Sequence, residues 1–328
     1  MKILRPVDTK SQISVFLINM RFITNQVVER AHHLSNERPK ASDAVLVSGS
    51  GRSGTTWIHD TLGSIPGVQL IFEPLNPNFV EEASKLSGIP KSERPKVFCQ
   101  YLSADQNYPD WHTFLERILT GQVRNSWIDR SINWGPTNQY ITKLIRGNLM
   151  LAYIKDNFDP KVIYVIRHPC AVILSRLNNG WFADVDDLLS QEALIDEYLK
   201  PWVGLIEKER DLIGAHAVWW AVENMVALHE IKKEEHYLIK YEDFCLSPRS
   251  LFSDLFSWLG YPRFEASKNL IQEPSRLSDI SYATMKNRLG FWKVNLSTLT
   301  QERILVWADR LGIDIYSDDN LPKSNPLK

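Results

Sequence analysis

The chain of 328 residues sets 38 Lys and Arg against 39 Asp and Glu, for a formal net charge of −1, with 44% hydrophobic residues. This near-neutral balance excludes broad electrostatic capture of nucleic acid or of an anionic membrane, so any anion site must be local. The length suits one large α/β domain or two smaller ones, with ample material for a core.

Three cysteines, Cys99, Cys170 and Cys245, are odd in number and widely spaced. They outline neither a disulfide framework nor a zinc site, and read as buried thiols in a reducing compartment. Near the start, the apolar run 13–18 is broken by Asn19 and Arg21, well short of the roughly 20 residues that span a membrane. No signal peptide or transmembrane segment is expected, and the chain reads as cytoplasmic. Residues 1–42 are assigned to a helical extension, and 43–328 to a single domain.

The organising stretch is 43–60, DAVLVSGSGRSGTTWIHD. Its apolar, β-branched start predicts a buried strand. Gly49, Gly51 and Gly54 then permit tight backbone and close approach of a ligand, and a helix opens near Thr55. A loop that aims backbone N–H groups from a helix N-terminus is a ready anion site. The spacing resembles the nucleotide-binding signature G-x-x-x-x-G-K-[ST]. However, Thr55 stands at the lysine position, and a cation lies within the loop at Arg52.

Further on, residues 68–72 predict a second strand, ended by Glu73 and Pro74. The proline-rich stretch 76–110 predicts loops and short helices. Residues 140–145 predict a strand and 146–157 a helix. The run KVIYVIRHPCAVILSRLN (161–178) is a second strand–turn–helix, with Pro169 near the first helical position. A long helical region follows over 187–232, then a strand at 236–241, a helix at 250–259 and a last helix at 300–311. This alternation predicts a three-layer α/β fold: a parallel sheet flanked by helices, like the P-loop nucleotide hydrolases, with helical insertions.

In a nucleotide hydrolase an apolar strand ends in an acid that holds magnesium. Here strand 162–166 ends in Arg167, at the crevice where open α/β sheets bind ligands. Ser175 lies eight residues on, within reach of the same anion if the helix runs beside it. Glu73 ends the second strand and should face that crevice too. No metal site is expected.

Taken together, these elements resemble the PAPS-dependent sulfotransferases. GSGRSGTTW is similar to their 5′-phosphosulfate loop, and VIRHPCAVILSR to their 3′-phosphate element. IKYEDFCLSP, LFSWLG and KNRLGFWKVNLS resemble later segments, in the family's order over about 43–310. The arginine in RSGTT resembles the carbohydrate and tyrosylprotein branches more than the aryl branch.

The resemblance implies transfer of a sulfuryl group from 3′-phosphoadenylyl sulfate (PAPS) to a hydroxyl or amine of a carbohydrate or small molecule. It places Gly51, Arg52, Ser53, Gly54, Thr55 and Thr56 at the leaving 5′-phosphate, with Trp57 near the nucleotide. Arg167 and Ser175 would hold the 3′-phosphate, aided by Lys286 or Arg288. Glu73 would be the general base, with His112 and His59 as alternatives, and Lys143 would stabilise the transferring group. Trp111, Trp127, Trp134 and Trp181 suit stacking on an acceptor. Two other readings are a P-loop kinase or nucleotide hydrolase, and a non-catalytic binder of adenosine 3′,5′-bisphosphate.

Overall fold

The computed structural model describes residues 39–130, 137–231, 236–267, 270–271 and 289–323. Residues 1–38 of the expected helical extension, together with Trp134, Lys286 and Arg288, lie outside the described residues.

Five parallel strands form one sheet: β1 (Val45–Ser48), β2 (Val68–Phe72), β3 (Gln139–Lys143), β4 (Lys161–Ile166) and β5 (His236–Lys240). Their order is β2-β3-β1-β4-β5, so β1 is central, with β3 and β4 as its neighbours. Strand β1 is buried throughout, as a strand covered on both faces must be.

Alternate side chains enter two separate cores. Val45, Val47, Ile163 and Val165 face one, whereas Leu46, Val162, Tyr164 and Ile166 face the other. Helix α1 (Thr55–Leu62) covers the first face, joined by α8 (Pro248–Leu259) through Trp57, Ile58, Phe252 and Leu255. The second face is covered by α3 (Pro109–Leu119), α4 (Leu151–Phe158), α5 (Pro169–Asn178) and α6 (Leu212–Glu230). The expected three-layer α/β arrangement is therefore present.

Two local expectations change. The helix expected from Arg146 starts only at Leu151. The intervening residues turn so that Asn148 can accept from the Ser48 hydroxyl and the Gly49 amide, at 2.7 and 3.0 Å. The long helical region over 187–232 is a series of short turns followed by α6. Pro201 interrupts the hydrogen-bond ladder, and Asp211 caps α6 by accepting from the amides of Ile213 and Gly214. The final helix, α10 (Thr298–Arg310), is capped in the same way by Ser297. Other helices include α2 (Glu81–Ser87), α7 (Tyr241–Leu246) and α9 (Phe291–Asn295). Among the described residues, no helix is long and apolar enough to cross a membrane.

Candidate active site

The chain order reverses around β1, because β2 lies to one side of it and β4 to the other. A crevice opens at such a point, beyond the carboxyl ends of the strands. The loop 49–54 leaves β1 there and delivers the chain to α1. Gly54 adopts φ 92°, and a Cβ there would lie 2.4 Å from the Tyr241 ring, so only glycine fits. At Gly51 a Cβ would lie 2.9 Å from the Trp181 indole. Among the described residues, the amides of Gly54, Thr55 and Thr56 find no acceptor within the chain. The Ser53 hydroxyl is buried without a partner. Donors gathered this way at a helix N-terminus are what an anion requires.

Arg52 holds φ 81°, a strained value for a residue with a Cβ. Its Nε donates to the Ser175 hydroxyl at 3.0 Å, and its carbonyl accepts from Arg167 Nη1 at 3.0 Å. The Arg167 guanidinium lies 4.4 Å from the Tyr241 ring centroid. Arg52, Arg167 and Ser175 thus form one cluster.

Glu73 sits at the end of β2 with φ 42°, a second strained position. Lys143 Nζ donates to its Oε1 at 2.6 Å and also to Thr56 Oγ1 at 2.8 Å. Arg146 Nη1 donates to Glu73 Oε2 at 3.2 Å, and Asn76 Nδ2 to the same oxygen at 3.4 Å. Burial works to raise the Glu73 carboxyl, but the two cations outweigh it and hold the group at about 2. Lys143 is lowered, because burial outweighs what one shared carboxylate returns. One anion against two cations leaves the trio with one net positive charge in a nearly dry site.

The alternative bases lie elsewhere. His59 is fully buried in α1, its Nε2 3.2 Å from the Ile141 carbonyl. His112 packs on Phe158, with ring centroids 4.7 Å apart. The Trp57 ring sits in the core against Tyr241 and Phe252, and its Nε1 donates to the Leu270 carbonyl. Trp111 is buried, while the Trp127 Nε1 donates to the Glu73 carbonyl at 3.3 Å.

Several site residues were not singled out from the sequence. Glu242 accepts from the His168 amide at 2.9 Å and from the Tyr316 hydroxyl at 2.8 Å, fixing the turn that carries Arg167. His168 stacks on Trp292 at 4.1 Å. Burial lowers its imidazole to about 4, so it remains a neutral spacer. Its position just before Pro169, at the start of a helix, was the available signal. Among the described residues, no group of three or more His, Cys, Asp or Glu is placed to hold a metal ion.

A sequence profile described as "Sulfotransferase family" matches residues 44–266, more than half of the chain. The chain belongs to the sulfotransferase family. The match spans the loop, Glu73, Lys143 and the Arg167 cluster. A comparison with curated proteins finds no match.

Similar solved structures include the sulfotransferase domain of the Synechococcus PCC 7002 olefin synthase, at 16% identity and TM-score 0.43, covering 86% of this chain and 98% of that one. The sulfotransferase domain of the curacin biosynthetic pathway is similar at 16% identity and TM-score 0.44, with 84% and 99% covered. Mouse sulfotransferase SULT7A1 complexed with PAP is similar at 13% identity and TM-score 0.41, with 87% of each chain covered.

Proposed function

We propose that this sulfotransferase takes PAPS as its donor and passes a sulfuryl group to a hydroxyl or amine, with Glu73 receiving the acceptor proton. The observation that carries the reading is the bridge made by Lys143, which joins Thr56 at the start of α1 to Glu73 at the end of β2. It sets a cation between the anion loop and a carboxylate, where charge is shared during in-line transfer of an anionic group.

The residues fit such a donor. The open amides of 54–56, the unpartnered Ser53 hydroxyl and Arg52 would hold a phosphosulfate group. Arg52, Arg167 and Ser175 would hold a second phosphate. The donor supplies an activated sulfuryl group. The chain supplies binding, charge and a proton acceptor.

Held at about 2, Glu73 is ionised at neutral pH but weakly basic. When Lys143 turns from Glu73 to the transferring group, the carboxylate keeps one cation instead of two. Its proton affinity then rises as the acceptor loses its proton. The proposed acceptors are carbohydrates and small molecules carrying a hydroxyl or amine, lying against the Glu73 side of the crevice.

A P-loop kinase or hydrolase is the competing reading, and Arg167 at the position of a metal-binding acid counts against it. The test is to offer labelled PAPS with glycans, phenols, lipid alcohols and peptides, and in parallel ATP with magnesium. Sulfuryl transfer from PAPS to one acceptor class supports the proposal. Turnover of ATP alone overturns it.

A further inference from the structure

Beneath the anion loop lies a second buried polar cluster, whose Glu223 lines a small cavity together with Gly51, Arg146 and Trp181. Glu223 on α6, 2% exposed, accepts from the Ser50 hydroxyl at 2.7 Å and from Arg176 Nη2 at 2.8 Å, both through Oε2. Its Oε1 accepts from the Cys99 thiol at 3.3 Å. Arg176, fully buried on α5, turns its Nε to the Gly51 carbonyl at 3.2 Å. Asn224 adds a bond from Nδ2 to Ser50 Oγ at 3.0 Å.

The cost of burying this ion pair is large, and apolar residues of the same volume would fill the core as well. What apolar residues cannot do is hold two adjacent loop residues by their polar atoms. Ser50 is held by its hydroxyl and Gly51 by its carbonyl. Fixing the Gly51 carbonyl downward, toward Arg176, sets the orientation of the peptide unit that continues into Arg52. The next residues then turn through the strained φ of 81° at Arg52 and the left-handed φ of 92° that Gly54 adopts freely. A strained turn persists only where its surroundings over-determine it.

We infer that Glu223 and Arg176 are positioning residues: together they hold the loop 50–54 in its anion-receiving shape before any ligand arrives. This inference rests on the reading of that loop as the donor site. Preorganised donors need no reorganisation when charge arrives, and displacing them by about 1 Å costs up to about 100-fold. Loss of the clamp should therefore appear in donor binding, even where the fold survives.

The experiment uses the full chain and adenosine 3′,5′-bisphosphate as the probe. Removing one partner alone would strand a buried charge, so the double variant Arg176→Met with Glu223→Leu is compared with Ser50→Ala, which cuts one arm only. Calorimetric affinity, thermal midpoint and hydrogen exchange of the amides over 51–56 are measured for each. The expected result for the double variant is a near-native midpoint, affinity weaker by about 10- to 100-fold, and faster loop exchange. Ser50→Ala should shift affinity and exchange in the same direction by a smaller factor.

Native affinity and native loop exchange in a folded double variant would overturn the inference. If the double variant does not fold, native values in Ser50→Ala overturn it instead. Should the wild-type chain fail to bind the probe at all, the donor reading fails, while loop exchange still decides whether the clamp exists.

Discussion

Arg52 Nε lies 3.0 Å from the Ser175 hydroxyl, joining the first loop to helix α5 across 123 residues of chain. The arginine of the first anion element therefore leans on the serine of the second. In the proposed donor site a phosphate entering between them would meet both, and the Arg167 guanidinium is held beside them by the Arg52 carbonyl. Arg52→Ala is expected to abolish transfer and leave the fold intact. Arg52→Gly should do the same while holding or raising the thermal midpoint, because glycine relieves a positive φ that costs other residues about 1 kcal/mol or more. A midpoint measured beside an activity assay checks both halves. Near-normal activity in either variant would sink the role given to Arg52.

Glu73→Gln should lower kcat by about 100-fold or more if this carboxylate takes the acceptor proton. Affinity for adenosine 3′,5′-bisphosphate should change little, since the proposed mechanism sets Glu73 against the transferring group and not the nucleotide phosphates. If His112→Ala shows the larger loss in kcat, the base must be reassigned.

Acid should act on the same residue. Glu73 titrates near 4.5 when unfolded and at about 2 when folded, so the folded state binds fewer protons between these values. Its contribution to stability is complete above pH 4.5 and disappears as pH falls toward 2. Denaturant titrations of wild type and Glu73→Gln should therefore diverge above that window and converge below it. A constant difference across pH 2 to 5 would contradict the ion-paired placement.

Two buried imidazoles predict a separate, milder loss. Burial lowers His168 to about 4 and His216 to about 3, against an ordinary value of 6.5. Both are neutral when folded, so stability is full above pH 6.5 and declines as pH falls through 6.5 toward 4. His168→Asn should flatten part of that slope in urea titrations, and an unchanged slope would argue against its burial under Trp292.

Gly54→Ala tests the steric account of the loop. The new methyl would enter the Tyr241 ring at a φ that alanine rarely adopts. Nucleotide affinity should fall by about 10-fold or more, as it would for other displaced donor loops. Tyr241→Ala in the same background relieves the clash but also removes the ring under Arg167, and should restore affinity incompletely, because the positive φ remains as well. Native affinity in Gly54→Ala alone would refute the account.

Read alone, the sequence determined the sheet and the place of the crevice. Unbroken apolar runs such as 162–166 can only be covered on both faces, and glycines after the first such run mark a turn that admits a ligand. The chemical types at the strand ends, Arg52, Glu73 and Arg167, are local facts of the same kind. What the chain order could not show is which of these groups share a partner. Only the folded chain sets Lys143 between Thr56 and Glu73, leans Arg52 on Ser175, and puts the Glu223–Arg176 pair beneath the loop. Those contacts join residues 47 to 123 positions apart, and no periodicity encodes such distances. Side-chain reach across packed elements decides them, and with them the charge balance that makes Glu73 so acidic.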